Sequence, residues 1–344
     1  MMRMYFRISI SVFVSALLLF SGTSVYAQKT VIKIALVTPE GSTWTNTLRR
    51  MVDEVRAKTD GEIDLKVYAG GISGDELDVI RKIQAGRIHA AGFSGVGLGV
   101  LLPKIRILEA PLLYKSYEEI DFVKERLYKE FAYDFDKQGY ILLGFAEAGF
   151  VYFFSSHEIS GPDDLKKIKM WVWKGDHVAQ TFFSTFGIKT FPLHLADVNT
   201  GLETGMIDSF YSPTLAAVAF QWYTKIKNML DYPMVNSTGA LLMSKKTFEQ
   251  LSEQNQSILK EAAKKYCAEL VRLTRRDNDE ARAILKESGV KFVLPSKQAV
   301  SSFEENAKKT YEINIPELYS KDLFNKVQEI LMEYRETCKA AKRP

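Results

Sequence analysis

The sequence contains few of the residues that most often form metal sites and disulfides. It has two cysteines and four histidines in 344 residues, with no Cys-x-x-Cys and no histidine spacing typical of a zinc site. Cys267 and Cys338 both lie in segments predicted to be helical. An oxidising compartment would permit a disulfide between them, but a sequence alone cannot place two thiols within bonding distance. We expect no metal and no cofactor, and the redox state of the two cysteines stays open.

Motifs of catalysis are also missing. The chain contains no Gly-x-Ser-x-Gly and no phosphate-binding P-loop. The segment "GVGLG" (95–99) does not match the dinucleotide-binding pattern, and we predict a cleft-lining loop or a turn there. Neighbouring carboxylates such as Asp163 and Asp164 stand at a predicted helix start, where the helix dipole favours acids. We therefore predict that this protein is not an enzyme.

Long apolar runs are absent after residue 27. Residues 1–27 have an arginine-bearing start, an apolar middle and the small-residue finish Val25-Tyr26-Ala27. This pattern predicts a secretory signal peptide that is cleaved after Ala27, because its apolar run is too short for a stable membrane span. No cysteine stands directly after the cleavage site to carry a lipid. We expect a soluble protein in the periplasm.

A large net charge of either sign is absent as well. The formal charge is +4, and removal of Arg3 and Arg7 with the signal peptide subtracts two, which leaves +2. A nearly neutral surface of mixed charge argues against a nucleic-acid partner.

What the sequence does contain is a regular alternation of strands and helices. Strands predicted at 31–37, 62–68 and 89–94 alternate with amphipathic helices, which indicates a parallel sheet in an α/β domain. A second α/β unit begins near residue 140, and the chain turns strongly helical from 245 onward. Two α/β lobes place a ligand in the cleft between them, at the carboxyl ends of the strands.

Aromatic residues are concentrated at the predicted strand ends. Trp171 and Trp173 lie two apart in "KKIKMWVWKGD" (166–176), so a strand would present both on one face, together with Lys169. Most aromatic residues pack in protein cores. Those at the strand ends of a two-lobed protein would instead line the cleft, since ligand pockets are mostly apolar with a few polar groups.

Five segments in succession resemble the DctP-type periplasmic substrate-binding proteins of TRAP transporters. They include "YAGGISGDELDVIRKIQAGRIHAAGFS", "GPDDLKKIKMWV" and "FPLHLADVNTGLETGMIDSFYSP". The resemblance implies two α/β lobes with a central cleft, crossing strands and a long hinge-spanning helix, which close on one small molecule. It implies delivery of that solute to membrane permease subunits. We expect the first lobe at 28–149 plus 240–285 and the second at 150–239 plus 286–344.

The sequence departs from the family where the resemblance implies ligand-binding arginines. Typical members bind a carboxylate with an arginine at the position that we match to Lys169, and a second arginine often stands where Val151 does. Ser212 replaces a frequent asparagine. A buried site without a guanidinium loses the charge-assisted bonds that would offset the desolvation of a carboxylate. We therefore favour a largely hydrophobic ligand with one polar end.

The predicted ligand contacts are the following eight residues: Trp44, Ser94, Phe150, Tyr152, Lys169, Trp171, Tyr211 and Ser212. Four alternatives stay open. Lys169 could replace the arginine and bind a small organic acid, or it could lie at the lobe surface with the tryptophans as core. A helical-repeat periplasmic lipoprotein could be the partner, or the protein could sense its ligand without transporting it.

Overall fold

A computed structural model describes residues 29–341 of the chain. The predicted signal peptide and its cleavage site lie outside the described residues. Within residues 29–341 the chain forms nine strands and a set of helices of very different length. The strands are β1 (Thr30–Ala35), β2 (Ile63–Tyr68), β3 (Ala90–Ser94), β4 (Tyr140–Ser155), β5 (Met170–Trp173), β6 (Thr190–Leu193), β7 (Ser209–Pro213), β8 (Asn228–Ser244) and β9 (Lys291–Val293).

The helices lie on both sides of the sheet. They are α1 (Thr43–Lys58), α2 (Glu76–Gln84), α3 (Gly95–Leu101), α4 (Tyr117–Lys137), α5 (Pro162–Leu165), α6 (His177–Ser184), α7 (Val198–Glu203), α8 (Thr214–Ala219), α9 (Lys245–Phe248), α10 (Glu253–Glu287), α11 (Lys297–Glu317) and α12 (Lys321–Ala341). Three 3₁₀ segments connect them, at Pro103–Glu109, Leu195–Asp197 and Trp222–Lys225.

All nine strands belong to one mixed sheet of order β2-β1-β3-β8-β4-β7-β5-β6, with β9 paired to β8. β1 pairs in parallel with both β2 and β3, which confirms the parallel sheet predicted for the first α/β unit. β5 pairs in parallel with β6 and β7. The two long strands β4 and β8 are antiparallel and run through both halves. We call the half around β1–β3 the first lobe and the half around β5–β7 the second lobe.

β4 is one strand where the sequence pattern predicts two, at 140–146 and 150–156. The strand continues because β8 pairs with it along most of its length, with register shifts between Glu147 and Gly149 and at two other places. Gly149 has φ +106°, a conformation that a side chain rarely adopts, and this glycine lies at the middle of the strand. The irregularity predicted as a break is therefore a bulge between the lobes.

The first lobe is packed by long amphipathic helices. α10 presents a buried face that includes Leu259, Ala263 and Leu270 to the sheet and to α1. On the other side, Leu127 and Phe131 of α4 belong to a second core cluster. In the second lobe, Phe303 of α11 packs against Phe186, with ring centroids 5.8 Å apart.

The carboxyl-terminal helix α12 packs on the first lobe. Its residues Phe324, Val327 and Leu331 are buried in the same cluster as Ile120 and Leu127 of α4. The predicted lobe boundaries assign residues 286–344 to the second lobe. They stay a prediction, and the contacts of α12 favour moving that helix to the first lobe.

Both cysteines are free thiols in this structure. Cys267 is buried, and burial raises its pKa to about 12. Gly144 lies directly beneath it, since a Cβ on Gly144 would lie 2.8 Å from Cys267 Sγ.

Candidate functional site

A cavity of about 180 Å³ lies between the two lobes. The first lobe contributes Trp44 and the residues that follow β3, and the second lobe contributes Trp171, Tyr211 and the helix α6. An apolar cavity of about 150 Å³ holds benzene in a well-studied case. The enclosed space therefore suits a body of about one six-membered ring.

Aromatic rings form most of the second-lobe wall. Trp171 stacks on Tyr211 with ring centroids 5.4 Å apart and meets Trp222 edge-on at 5.3 Å. These offset and edge arrangements are the favoured ones between aromatic rings. Phe153, Phe182 and other apolar side chains complete the wall. Phe153, Trp171 and Tyr211 stand on strands of the sheet, whereas Phe182 belongs to α6 and Trp222 to a 3₁₀ segment.

Trp44 forms the opposing wall in the first lobe. A Cβ on Gly92 would lie 2.9 Å from the Trp44 ring, and one on Gly239 would lie 3.1 Å from it. The two glycines stand on the paired strands β3 and β8. The indole therefore lies on a surface that these strands leave free of side chains, and this packing holds it at the cavity.

A buried cluster of three charged residues and one tyrosine also lines the cavity, and we call it the Arg106 cluster. It consists of Arg106 and Glu109 from the first lobe and Asp176 and Tyr211 from the second. Arg106 Nη2 donates to Asp176 Oδ1 at 2.7 Å, and its Nε lies 3.0 Å from Glu109 Oε2. The Tyr211 hydroxyl donates to Asp176 Oδ2 at 2.6 Å. The cluster joins the lobes inside the cavity.

Burial and neighbouring charges shift the pKa values of Glu109 and Arg106. It raises the pKa of Glu109 to about 7, against the lowering effect of Arg106. Burial lowers the pKa of Arg106, but the Glu109 and Asp176 carboxylates outweigh burial and raise that pKa above its ordinary value. The arginine is therefore always charged, while Glu109 titrates near neutrality.

Glu76 is a third buried acid at the cavity. Its carboxylate accepts hydrogen bonds from Ser94 N, Ser94 Oγ and Gly97 N, at 2.7, 2.9 and 2.7 Å. Burial raises its pKa to about 7, although those hydrogen bonds act in the opposite direction. The carboxylate thus fixes the start of α3 beside the cavity.

The segment "GVGLG" is helical, which corrects the prediction of a loop or turn. Its glycines make room for charged side chains, because Cβ atoms on Gly97 and Gly99 would lie 2.6 Å from Glu76 and 2.7 Å from Arg106. A Cβ on Gly95 would overlap the Glu109 carboxylate. The helix is glycine-rich because it packs on buried acids and on an arginine.

The rim of the cleft is bridged by a second polar contact between the lobes, which we call the rim contact. Asp75 caps the start of α2 in the first lobe. Its Oδ2 accepts from Trp173 Nε1 at 3.0 Å and lies 3.0 Å from His194 Nδ1. Both partners belong to the second lobe.

Five of the eight residues predicted to contact the ligand line this cavity: Trp44, Ser94, Trp171, Tyr211 and Ser212. Phe150 and Tyr152 lie elsewhere. Phe150 packs on Tyr117 with centroids 4.6 Å apart, and the guanidinium of Arg282 covers the ring of Tyr152 at 5.3 Å. Their neighbours Val151 and Phe153 line the cavity instead, because alternate residues of a strand face opposite sides. Which of the eight contact a ligand stays a prediction.

Lys169 also lies outside the cavity. It is exposed, and its Nζ donates to the carbonyl of Gly205 at 2.9 Å. Lys169 precedes β5, whereas the cavity lies at the other end of that strand, where Trp171 and Trp173 line it. Sharing a face with Trp171 therefore does not bring the lysine into the cleft. The positions of β5 that face the cavity are Trp171 and Trp173.

Sequence reasoning missed Arg106 and Glu109. Both stand in "LLPKIRILEAPLL" (101–113), where charged residues three apart interrupt an apolar run. That pattern was a usable signal, since buried charges occur almost always in pairs.

The comparisons with known proteins agree with the fold. The model of the family described as bacterial extracellular solute-binding protein, family 7 (DctP) matches residues 34–321. The chain belongs to the DctP family. A solute-binding protein of Chromohalobacter salexigens is 24% identical over 249 residues, which cover 71% of this chain and 73% of the relative.

Solved structures resemble this DctP protein over nearly their whole length. The sugar-acid-binding protein of Advenella mimigardefordensis in complex with galactonate has a TM-score of 0.84 at 23% identity, covering 89% of this chain and 99% of that one. A TRAP periplasmic solute-binding protein of Ralstonia eutropha with bound (S)-2-acetolactate has a TM-score of 0.83 at 23% identity, with the same coverage. These likenesses confirm the two-lobed α/β fold.

Membership of the DctP family establishes the general role of this protein. Proteins of this family are periplasmic binding proteins of TRAP transporters, bind small molecules and work with membrane permease subunits; they are not enzymes. The comparisons give no support to a helical-repeat lipoprotein as partner.

No helix within residues 29–341 combines the length and apolar character needed to cross a membrane. The same residues contain no group of three or more His, Cys, Asp or Glu side chains that could hold a metal ion.

Proposed function

We propose that this TRAP receptor captures a small molecule with an apolar body of about one ring and a single polar end. The observation that carries the proposal is the composition of the cavity wall, where Trp44, Trp171 and Trp222 stand among other apolar side chains. Burial of apolar ligand surface against such a wall contributes about 25 cal/mol per Å². The polar end would lie at the Arg106 cluster, where the charged groups of the wall meet.

A small organic acid is the second candidate, and the relatives favour it. The solved complexes hold galacturonate, galactonate, glucuronate and (S)-2-acetolactate, so they support an acid better than they support a hydrophobic ligand. Lys169 is a poor anchor for that acid, because its ammonium group lies outside the cavity at Gly205. An acid in this cavity would have to use Arg106.

Ligand extraction and thermal shifts separate the two candidates. Purified protein is denatured, and the released compounds are identified by mass spectrometry. The emptied, refolded protein is then titrated with cyclohexanecarboxamide, benzamide, galactonate and glucuronate. A ligand that binds the native state at 100 times its Kd stabilises that state by about 2.7 kcal/mol and raises Tm. A rise in Tm with cyclohexanecarboxamide or benzamide supports the proposal. A rise in Tm with galactonate or glucuronate alone would overturn it.

A further inference from the structure

The side chains of the cavity contain more negative than positive groups. Among the described residues that line it, Arg106 is the one cation, and Glu76, Glu109 and Asp176 are the acids. The side chains of Arg106, Glu109 and Asp176 are all more than nine-tenths buried. A guanidinium usually recruits a ligand carboxylate with its planar fork of donors. Here that fork already faces two carboxylates of the protein.

Asp176 is held firmly against Arg106. Its Oδ1 accepts from Arg106 Nη2 at 2.7 Å and from the backbone N of Ala179 at 3.1 Å, and its Oδ2 accepts from Tyr211. Glu109 is held as well, since its Oε1 accepts from Thr238 N at 2.8 Å. Asp176 on Nη2 and Glu109 beside Nε thus occupy the Nε/Nη2 edge of the guanidinium. A ligand carboxylate at this edge would have to displace one of the two acids and leave it buried without its cation, which is strongly unfavourable.

An uncharged oxygen meets no such obstacle. Thr238 lines the cavity beside Glu109, and its buried Oγ1 has no hydrogen-bond partner among residues 29–341. Buried polar atoms of this kind are rare in native proteins. A hydroxyl can donate to a carbonyl oxygen of a ligand or accept from its N–H or O–H group. A neutral polar group that packs against Thr238 would give this hydroxyl the partner that it lacks.

We propose that Asp176 is the residue that determines the charge preference of this receptor. By occupying Arg106 from the opposite lobe, it stands where a ligand carboxylate would otherwise bind, and the receptor selects an uncharged polar end, such as an amide, ketone or hydroxyl, over a carboxylate. This inference rests on the proposed function, because it assumes a ligand with an apolar body in the same cavity.

The test compares ligands that share one ring and differ in charge. Calorimetric titrations at pH 7.5 use cyclohexanecarboxamide, cyclohexanecarboxylate and cyclohexylmethylamine with the wild-type protein. We expect the amide to bind at least 10-fold more tightly than the acid and the amine. In Asp176→Asn the oxygen beside Arg106 Nη2 stays but its negative charge is lost, so Arg106 can pair with a ligand carboxylate, and the preference for amide over acid should fall at least 10-fold. Asparagine retains the oxygen that caps α6, and N-cap positions accept it well.

Asp163→Asn is the matched control, because Asp163 is an exposed acid at the start of α5; it should keep the wild-type preference. If Asp176→Asn fails to fold, Asp176→Ser also preserves the cap and should show the same change. A wild-type preference for the acid or the amine, or an unchanged preference in a folded Asp176 variant, overturns the inference and leaves the proposed function standing. If none of the ring compounds binds while galactonate does, the proposed function itself is wrong.

Discussion

Trp173 Nε1 lies 3.0 Å from Asp75 Oδ2, so a hydrogen bond joins β5 of the second lobe to the start of α2 in the first. The same oxygen lies 3.0 Å from His194 Nδ1. This rim contact is at the edge of the cleft, while the bond between Arg106 and Asp176 joins the lobes inside it. Two separate polar contacts thus favour the arrangement that encloses the cavity.

Removal of the rim contact should speed ligand release. Trp173→Phe keeps an aromatic ring and loses the N–H donor to Asp75. Hydrogen bonds to charged groups contribute about 1.5–3 kcal/mol. A difference of about 1.4 kcal/mol corresponds to a tenfold change in a binding constant. We expect the dissociation rate of the ligand to rise about 10-fold in stopped-flow measurements. Asp75→Asn, which retains a good N-cap residue for α2, should act in the same direction. Wild-type release rates in both variants would show that the rim contact does not hold the lobes together.

Gly95→Ala should destabilise the protein although it places a better helix former in α3. Helix propensity alone would favour alanine by up to about 1 kcal/mol. The new Cβ would overlap the carboxylate of Glu109, and overpacking of this kind costs about 1–3 kcal/mol. Urea unfolding should therefore show a lower free energy of unfolding. Val100→Ala, at an exposed position of the same helix, should change it by less than about 0.5 kcal/mol. A stabilised Gly95→Ala variant would mean that Glu109 moves away at no cost.

The sequence predicted the fold better than it predicted the site. β1, β2 and β3 were predicted close to their observed positions because their apolar and β-branched patterns are strong, and the family resemblance supplied the two lobes. Which face of β4 points into the cavity could not be predicted from the sequence. Phe150 and Tyr152 are as apolar as Val151 and Phe153, so alternation separates the pairs without indicating which one faces the cleft.

The charged part of the site could not be placed from local patterns. Arg106 and Asp176 are 70 residues apart in the sequence, and they meet because the sheet brings a 3₁₀ segment of one lobe to a helix start of the other. Lys169 shows that a shared strand face alone does not place a residue at the cavity. It shares a strand face with Trp171, but the distance along the strand places it at the far end from the cavity.

Trp44 and Lys169 should differ sharply in their effect on binding. Trp44 lines the cavity, whereas Lys169 is exposed and bonds to Gly205. An aromatic side chain buries about 150–250 Å², so loss of part of that contact in Trp44→Leu should weaken binding of cyclohexanecarboxamide about 10-fold or more. Lys169→Ala should leave the Kd within about twofold of wild type. Calorimetric titration measures both. A large loss in Lys169→Ala would restore the lysine as a ligand anchor.

Glu109 should make the stability of the protein depend on pH. Burial raises its pKa from 4.5 to about 7 in the folded state, so between these values the folded protein binds more protons than the unfolded chain. Stability from this group is therefore fully present below about pH 4.5 and is lost as the pH rises through about 7. The difference in free energy of unfolding between wild type and Glu109→Gln should fall across that window by at most about 3 kcal/mol. Urea unfolding from pH 4.5 to 8 measures it, with the exposed Glu312→Gln expected to follow the wild-type profile. A difference that stays constant with pH would show that Glu109 remains ionised beside Arg106 throughout.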